Sequence, residues 1–278
     1  MKPTVALLLL GICLAGQPML VAPAAAADRQ SWRDRAINTA SSDFTQDDVA
    51  EEVLFGREIA ARILGRHKLA DNARLQKYVN LVGSAITRNT KRTELEFHFA
   101  VIESNEINAY STPGGYVFVT TAALRQMDNE AELAGVLAHE IGHVVERHIV
   151  NELHLRAADT SVASSLAALI GGSTESASVA FSQAVDSAVD ILFRDGYKKE
   201  HEMQADKDAV YFCALGGYNP VGLVTLLERV GRIKTGVGKS YPLYDVRLSV
   251  LQQVIGEEGL ADSKLTTAPE RFANVVKK

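Results

Sequence analysis

The sequence predicts a mainly helical α+β fold, and three observations support that expectation. Apolar residues recur at helical spacing through most of residues 47–233, whereas residues 94–102 alternate between apolar and polar side chains, as a half-buried strand does. A proline and two glycines at residues 113–115 mark a tight turn between two further short strands. These patterns together indicate a small sheet set among several helices.

The composition is that of a globular protein. The chain of 278 residues is 47% hydrophobic and carries a formal net charge of −5. Disordered chains have fewer apolar residues and a larger net charge, so this composition predicts a folded core. The isoelectric point of about 5.8 leaves no surplus of positive charge. A nucleic-acid partner is therefore not expected, because such binding needs a basic surface.

Residues 1–27 have the features of a secretory signal peptide. Lys2 precedes an apolar stretch of about a dozen residues, and a run of alanines ends at Ala27. That stretch is too short to cross about 30 Å of hydrocarbon, and the small residues fit a cleavage site. An exported chain is therefore predicted. An uncleaved membrane anchor is the alternative, because only one charge precedes the apolar stretch.

The elements of the mature chain follow in order. Residues 28–45 are polar without a clear period and are expected to form a loose arm. Apolar residues three or four apart predict helices over residues 47–65 and 75–86, and alternation predicts strands over residues 94–102, 108–111 and 116–120. Further helices are predicted over residues 130 to about 155, 198–215 and 220–233, the last two separated by glycines and a cap signal. Residues 160–195 are rich in Ala and Ser and are interrupted by Gly171 and Gly172, which predicts two packed helices. One domain over residues 46–265 and a frayed tail over residues 266–278 are the simplest account.

Residues 139–143 read His-Glu-Ile-Gly-His, the pattern H-E-x-x-H, inside the longest predicted helix. Because a helix turns by about 100° per residue, His139 and His143 lie on one face, one turn apart, where both imidazoles can reach a single Zn²⁺. Glu140 lies beside them and can take a proton from a water that the metal activates. Burial of these polar groups in an apolar helix without a partner would be costly, which also favours a metal site.

A catalytic zinc ion usually has three protein ligands, so one more ligand must come from another part of the chain. The extended pattern H-E-x-x-H-x-x-G-x-x-H fails, because Glu146 and Ile149 stand where Gly and His would be needed. On a continuous helix, His148 would point away from the metal, since it lies about 140° round from His143. It is therefore expected to be a structural or solvent-facing histidine.

The start of the helix at residue 198 offers Glu200, His201 and Glu202 as candidates for the third ligand. Glu202 is the best of them, because Asp206 lies four residues later on the same helix face. A carboxylate in that position can accept the free N–H of a ligating histidine and so fix the orientation of its ring. Glu200 has Gln204 in the corresponding place.

Three stretches together resemble a known family. They are the Asn-Ala-x-x-x-Pro-Gly-Gly-Tyr-Val-Phe-Val-Thr segment at residues 108–120, the segment 130–144 around H-E-x-x-H, and Glu202 to Asp206. The chain is similar in them to the zinc metallopeptidases that include HtpX and the CAAX prenyl protease, above all to the exported beta-barrel assembly-enhancing (BepA-like) branch. The resemblance covers about residues 51–251 and implies a gluzincin-type zincin domain whose small sheet has an edge strand lining the cleft.

The resemblance also implies roles for individual residues. One zinc ion per chain would be bound by His139, His143 and Glu202. Glu140 would be the catalytic base, and Asp206 an acid that supports a ligand or handles protons. The edge strand would pair with an extended substrate through backbone hydrogen bonds, a mode that tolerates many sequences, at Asn108, Ala109 and Tyr110.

The function that the resemblance implies is zinc-dependent endoproteolysis of unfolded or misassembled exported proteins in the periplasm, with an association with the outer-membrane protein assembly machinery. Two departures from the family pattern stand out. Tyr241 replaces a histidine that often precedes a proline and an arginine, here Arg247. Tyr241 and Arg247 are candidates for stabilising the oxyanion of the transition state. The helical repeats that some relatives append are not expected.

Two other functions remain open. The first is a binding or chaperone-like module with a closed or self-inhibited zinc site, in which Tyr241 or His201 is the fourth ligand. Structural zinc sites are usually closed by cysteine, and no cysteine lies near the H-E-x-x-H segment, which favours a catalytic site. The second is a hydrolase of small amides on the same scaffold, which the edge strand disfavours.

Overall fold

The computed structural model describes residues 46–153, 175–233 and 244–277, and every structural statement below concerns these residues. The strands are β1 (His98–Ile102), β2 (Ala109–Thr112) and β3 (Tyr116–Thr120). The helices are α1 (Gln46–Arg66), α2 (Ala73–Thr87), α3 (Thr121–Gln126), α4 (Glu130–Val145), α5 (His148–Glu152), α6 (Glu175–Asp190), α7 (Lys199–Leu215), α8 (Val221–Ile233), α9 (Tyr244–Glu257) and α10 (Pro269–Val276). The predicted mainly helical α+β fold is confirmed.

The sheet has three strands in the order β1-β3-β2, so β2 lies at its edge. β1 runs parallel to β3, with His98 opposite Tyr116, and β2 runs antiparallel to β3, with Ala109 opposite Val119. The turn between β2 and β3 needs glycine, because Gly114 has a φ of +75° and a Cβ there would lie 2.5 Å from the Cα of Val53 in α1. The outer edge of the sheet is thereby fixed against α1.

Helix α4 is the centre of the fold and packs against α2, α7, α8 and β2. Two glycines allow its neighbours to approach closely. A Cβ at Gly142 would lie 3.2 Å from the Cα of Ala205 in α7, and a Cβ at Gly135 would lie 2.7 Å from the Cβ of Leu223 in α8. The contact between α4 and α7 sets the position of the site described below.

Apolar clusters cover both faces of the sheet. The larger one joins β1 and β3 to α2, α4, α7 and α8, and it contains fully buried residues such as Leu133, Leu137 and Ile141. The smaller one lies between the sheet and α1 with α6, around Phe55 and Ile59. Helix α4 is therefore held in the larger core along most of its length, which is what an apolar helix of this kind requires.

The prediction of one continuous helix from residue 130 to about 155 is wrong. Helix α4 ends at Val145, and Arg147 adopts a left-handed conformation with a φ of +55° before the short helix α5 begins. No glycine or proline marks this break in the sequence. The Nε atom of Arg147 lies 3.1 Å from Oε2 of Glu52 in α1, and both side chains are buried. This ion pair across 95 positions holds a conformation that the local sequence does not favour.

The frayed tail expected from residue 266 is also not what the structure shows. Residues 269–276 form α10, in which Phe272 is fully buried and Arg271 donates two hydrogen bonds to the carboxylate of Glu130. The strand predicted over residues 94–102 is shorter than expected, since only His98–Ile102 pairs with β3. The other predicted helices and strands agree with the structure to within one or two residues where it describes them.

Several predictions fall outside the described residues: the signal peptide at 1–27, the arm at 28–45, the first part of the region 160–195, and Tyr241. Among the helices that the structure does describe, none combines the length and the hydrophobicity that crossing a bilayer requires.

Candidate metal centre

Three side chains from two helices converge on one point. His139 and His143 project from α4, and Glu202 projects from the first turn of α7. The Nε2 atoms of the two histidines are 3.1 Å apart, while Glu202 places Oε2 3.6 Å from Nε2 of His139 and Oε1 3.8 Å from Nε2 of His143. One ligand atom from each residue lies within 4.8 Å of the other two. Such spacing suits a single cation.

The donor set fits zinc. Two imidazole nitrogens and one carboxylate oxygen are ligands that Zn²⁺ prefers, and three protein ligands leave one position for water or substrate. Both histidines are buried and Glu202 is nearly so, which keeps the three donors away from bulk water. Burial alone would raise the pKa of Glu202, but Arg247 and the two histidines hold that pKa well below its usual range. The carboxylate is therefore ionised, as a metal ligand must be.

The far side of His139 is bound by Asp206, also on α7. Oδ1 of Asp206 lies 2.9 Å from Nδ1 of His139, which leaves Nε2 directed at the convergence point. Burial and Arg247 disfavour a charged imidazole, but the Asp206 and Glu202 carboxylates raise the pKa of His139 to about 9. A carboxylate in this position fixes both the tautomer and the ring orientation of a ligating histidine.

Arg247, on α9, joins the two acids of α7. Its Nε and Nη2 atoms donate to the two oxygens of Asp206 at 2.8 Å, and its Nη1 lies 3.1 Å from Oε2 of Glu202. Burial would raise the pKa of Asp206, yet Arg247 and His139 keep it below its ordinary value. The guanidinium thus holds both carboxylates in their charged form and in fixed positions.

The expectation that His148 points away from the metal is wrong, because His148 contacts His143. Because α4 breaks at Arg147, α5 turns His148 back, and its Nδ1 lies 2.9 Å from Nδ1 of His143. His148 is buried, and its ring stacks on that of His201 at 4.3 Å. Burial and the neighbouring His201 lower the pKa of His148 to about 3, so this imidazole is neutral.

The structure does not place His201 as a fourth ligand. Its Nδ1 lies instead 2.7 Å from Oε1 of Glu152 in α5, and it does not belong to the cation-binding group of described residues. Glu200, the rejected candidate for the third ligand, is exposed on α7. The structure therefore brings together the residues that the sequence favoured for the ligand set.

Glu140, the predicted base, lies one residue beyond the first histidine and is 8% exposed. Burial raises its pKa, against the lowering effects of His139 and of a hydrogen bond from Ser111. The hydroxyl of Ser111 in β2 donates to Oε2 of Glu140 at 2.8 Å. Sequence reasoning missed Ser111, because nothing in the strand pattern distinguishes it from its neighbours.

Sequence reasoning also missed Tyr197, whose ring stacks on that of His143 with centroids 4.0 Å apart. Tyr197 precedes α7 by two residues, and its stacking limits rotation of the His143 ring. No motif in the sequence marks it.

A cavity of about 330 Å³ opens beside the convergence point. Its polar floor includes His139, Glu140, His143 and Glu202. The edge strand also lines it, with Asn108, Ala109 and Tyr110, and so does an apolar group formed by Val136 of α4 and Leu223, Leu226, Leu227 and Val230 of α8. The side chain of Tyr110 is itself buried against Phe193, at 4.6 Å between ring centroids. The cavity therefore brings the predicted edge-strand residues next to the converging side chains.

Comparisons with known proteins agree with this geometry. The model of "Peptidase family M48" matches residues 70–255. The beta-barrel assembly-enhancing protease of Escherichia coli (strain K12) is 27% identical over 187 residues, which cover 66% of this chain and 38% of that protein. Its counterpart in Yersinia pestis is 29% identical over 185 residues, covering 63% of this chain and 38% of that protein.

The metalloprotease LoiP of Escherichia coli (strain K12) is 24% identical over 166 residues, covering 59% of this chain and 63% of that protein. The chain thus spans well under half the length of the two assembly-enhancing proteases it matches. The family match nevertheless covers most of the chain and includes both helices that carry the converging side chains. The chain belongs to peptidase family M48, as its sequence resemblance predicted.

Proposed function

We propose that this chain is a zinc-dependent endopeptidase of the cell envelope that cleaves unfolded or misassembled exported and outer-membrane proteins. The observation that carries the proposal is the convergence of His139, His143 and Glu202 beside Glu140 at the floor of one cavity. Membership of a peptidase family supports the reaction class.

In this proposal, the two histidines and Glu202 hold one zinc ion per chain. When bound, zinc polarises the carbonyl of the scissile peptide and makes water a stronger acid. Asp206 keeps Nδ1 of His139 occupied, so that Nε2 remains the ligating atom. Arg247 holds Glu202 and Asp206 in place.

Glu140 transfers a proton during the reaction. Its carboxylate takes a proton from the attacking water and delivers it to the nitrogen of the leaving amine, so that one group is general base and then general acid. The developing oxyanion needs a donor as well. Arg247 is one candidate for this role, although its Nε and Nη atoms already bind Asp206 and Glu202. Tyr241 is the other candidate.

The edge strand supplies substrate binding. Thr120 donates its N–H to the carbonyl of Asn108, and in an antiparallel ladder the hydrogen-bonded pairs alternate. The peptide groups of Asn108 and Tyr110 therefore face β3, while those of Ala109 and Ser111 face outward. A substrate strand that pairs with Ala109 and Ser111 uses backbone hydrogen bonds, which suits unfolded chains of many sequences. Of the three predicted strand residues, Ala109 is the one whose backbone faces away from β3, and its N–H donates to Oδ1 of Asn108 at 3.0 Å, which a pairing substrate would have to replace.

The cellular setting is proposed from two observations. Residues 1–27 have the composition of a signal peptide, which favours export to the periplasm. Several similar curated proteins carry the name beta-barrel assembly-enhancing protease. We therefore place the chain near the outer-membrane protein assembly machinery, with unfolded or misfolded proteins as substrates.

The decisive experiment compares the mature protein with its Glu140→Gln variant. Both are loaded with zinc, the metal content is measured, and cleavage of an unfolded protein such as casein is followed with and without a chelator. Glu140→Gln is expected to keep one zinc per chain and to cleave about 10²–10⁴-fold more slowly, since it lacks the proton acceptor.

Glu200→Gln is the matched control, because Glu200 is an exposed acid near the site. This variant should cleave the substrate at the wild-type rate. Undiminished cleavage by zinc-loaded Glu140→Gln would refute the base assignment. A wild-type protein that binds one zinc and cleaves nothing would favour the closed-site binding module instead.

A further inference from the structure

The hydroxyl of Ser111, unlike its backbone, has no role in the proposed function, yet it contacts the predicted base directly. It lies on β2 and is only 1% exposed. Its hydroxyl donates to Oε2 of Glu140 across 29 positions, at 2.8 Å. Hydrogen bonds from a hydroxyl to a carboxylate are among the stronger ones in proteins, and this one lies away from bulk water.

The contact is specific to one oxygen of the carboxylate. Among the described residues, Ser111 is the one hydrogen-bond donor to Glu140, and it binds Oε2. Glu140 also lines the cavity beside the metal ligands and keeps a small exposed fraction of 8%. A glutamate side chain with one fixed oxygen has little rotational freedom left. The other oxygen, Oε1, therefore remains available to the contents of the cavity.

Ser111 is itself held on two sides. Its backbone lies opposite Val117 in the ladder with β3, so the strand cannot shift without breaking the sheet. Its hydroxyl also interacts with the phenol of Tyr197, whose ring stacks on His143. The position of Ser111 is thus fixed relative to both the carboxylate and a metal ligand.

We propose that Ser111 is a positioning residue for the catalytic base: its hydroxyl holds Oε2 of Glu140 so that Oε1 is directed into the cavity beside the scissile bond. The inference rests on the proposed function, in which Glu140 moves the proton. Positioning of this kind lowers the barrier because the reacting group needs no further ordering when substrate is bound.

The test measures kcat and KM for an unfolded protein substrate together with zinc content and thermal stability. Ser111→Ala is expected to lower kcat by about tenfold to a hundredfold, the range expected for loss of a hydrogen bond to a charged group. KM should change less than twofold, and the protein should keep one zinc per chain and a melting temperature within about 2 °C of the wild type. Ser111→Thr, which keeps the hydroxyl, should recover most of the lost kcat.

Thr112→Val is the matched control on the same strand. Thr112 is equally buried, but its hydroxyl donates to the carbonyl of Gly56 rather than to the base. This variant is expected to lose stability and to keep its kcat, the reverse of Ser111→Ala.

Three results would overturn the inference. They are a wild-type kcat for Ser111→Ala, a loss of kcat that follows a loss of zinc or of stability, and a Ser111→Thr variant that folds, binds zinc and stays as slow as Ser111→Ala. Failure of the proposed function is separate, since it would show as an active Glu140→Gln variant.

Discussion

Two buried glutamates ten residues apart on α4 have very different surroundings. Glu130, at the start of the helix, accepts hydrogen bonds from Tyr78 and Tyr218 at 2.6 and 2.8 Å and two more from Arg271. Although burial opposes it, these donors lower the pKa of Glu130. Glu140 has one described donor, Ser111, and burial raises its pKa. One carboxylate is saturated with donors and the other is not.

The difference separates a carboxylate that holds the fold from one that is available for chemistry. Glu130 joins α2, α10 and the loop before α8 to the start of α4, so its bonding capacity is used in tertiary structure. Glu140 lines the cavity, where a bound substrate or water would supply the remaining partners. A buried acid with few donors next to a cavity is a candidate for function, because its raised pKa favours proton exchange.

The largest expected effect concerns the metal that makes Glu140 useful. Glu202→Ala should weaken zinc binding by at least about 100-fold, because it removes one of three ligands. Glu200→Ala should bind zinc like the wild type, since Glu200 is exposed two positions away. Zinc titration with a competing chelator measures both. Equal loss in the two variants would contradict the choice of Glu202.

The second-largest expected effect concerns Glu130, the glutamate whose hydrogen bonds hold the fold. Glu130→Gln should destabilise the protein by about 2–4 kcal/mol, since a neutral amide cannot accept all the donors now pointing at it. Arg271 is 59% exposed and contributes little to this figure. Chemical denaturation measures the free energy of unfolding, and kcat per bound zinc should stay within twofold of the wild type. A slow but fully stable Glu130→Gln variant would break the comparison.

Asp208 is another buried acid with few hydrogen-bond donors, and it tests whether this property alone identifies a functional acid. It is buried on α7, away from the cavity, and Gln204 donates to its Oδ1 at 3.1 Å. Burial and the nearby Glu146 raise its pKa from 3.8 to about 8. The folded state therefore binds a proton that the unfolded state releases, and stability falls as pH rises from about 4 to about 8.

Asp208→Asn removes this dependence. The variant should be more stable than the wild type, with a gain that grows by up to about 1.4 kcal/mol per pH unit between pH 5 and pH 8. Its kcat should not change. Thermal unfolding across this pH range measures the gain, and Asp262→Asn, at an exposed acid, is the control. A gain that is constant with pH would show that Asp208 is ionised in the folded protein.

The smallest effect concerns the backbone of the edge strand. The N–H of Ala109 faces away from β3 and donates to Oδ1 of Asn108 at 3.0 Å, an acceptor that a pairing substrate would replace. Ala109→Pro removes this N–H, so KM for an unfolded protein should rise by up to about fivefold, the equivalent of one hydrogen bond. Ala109→Gly keeps the N–H and should retain the wild-type KM. Steady-state kinetics of the two variants at equal zinc content decide the point. The same KM for both would argue against strand pairing at Ala109.

Much of the fold could be predicted because it depends on local pattern. The period of apolar residues located α1, α2, α7 and α8, and the glycine turn located β2 and β3. The H-E-x-x-H spacing is enough to predict that two histidines lie on one helix face, whatever the rest of the chain does. Glu202 is favoured as the third ligand because Asp206 lies four residues later on the same helix face, which is also a local feature of the sequence.

What could not be predicted depends on contacts between distant positions. The break after α4 is stabilised by the ion pair of Arg147 with Glu52, and no local signal accompanies it. The same break explains why His148 contacts His143, since on a continuous helix it would point away. Ser111 gains its importance from a carboxylate 29 positions away. For α10, a signal was present, since Pro269 suits the first turn of a helix and Phe272 fits an apolar face.

The close approach of α4 and α7 at Gly142 has a consequence for the affinity of the site. Ala205, the residue that Gly142 faces, lies three positions after Glu202, so the spacing of the two backbones there determines how far the carboxylate stands from the imidazoles. A methyl group at position 142 would have to separate the helices by a few tenths of an ångström. The volume of two small residues that are not ligands would therefore influence how tightly this group of side chains can hold a metal ion.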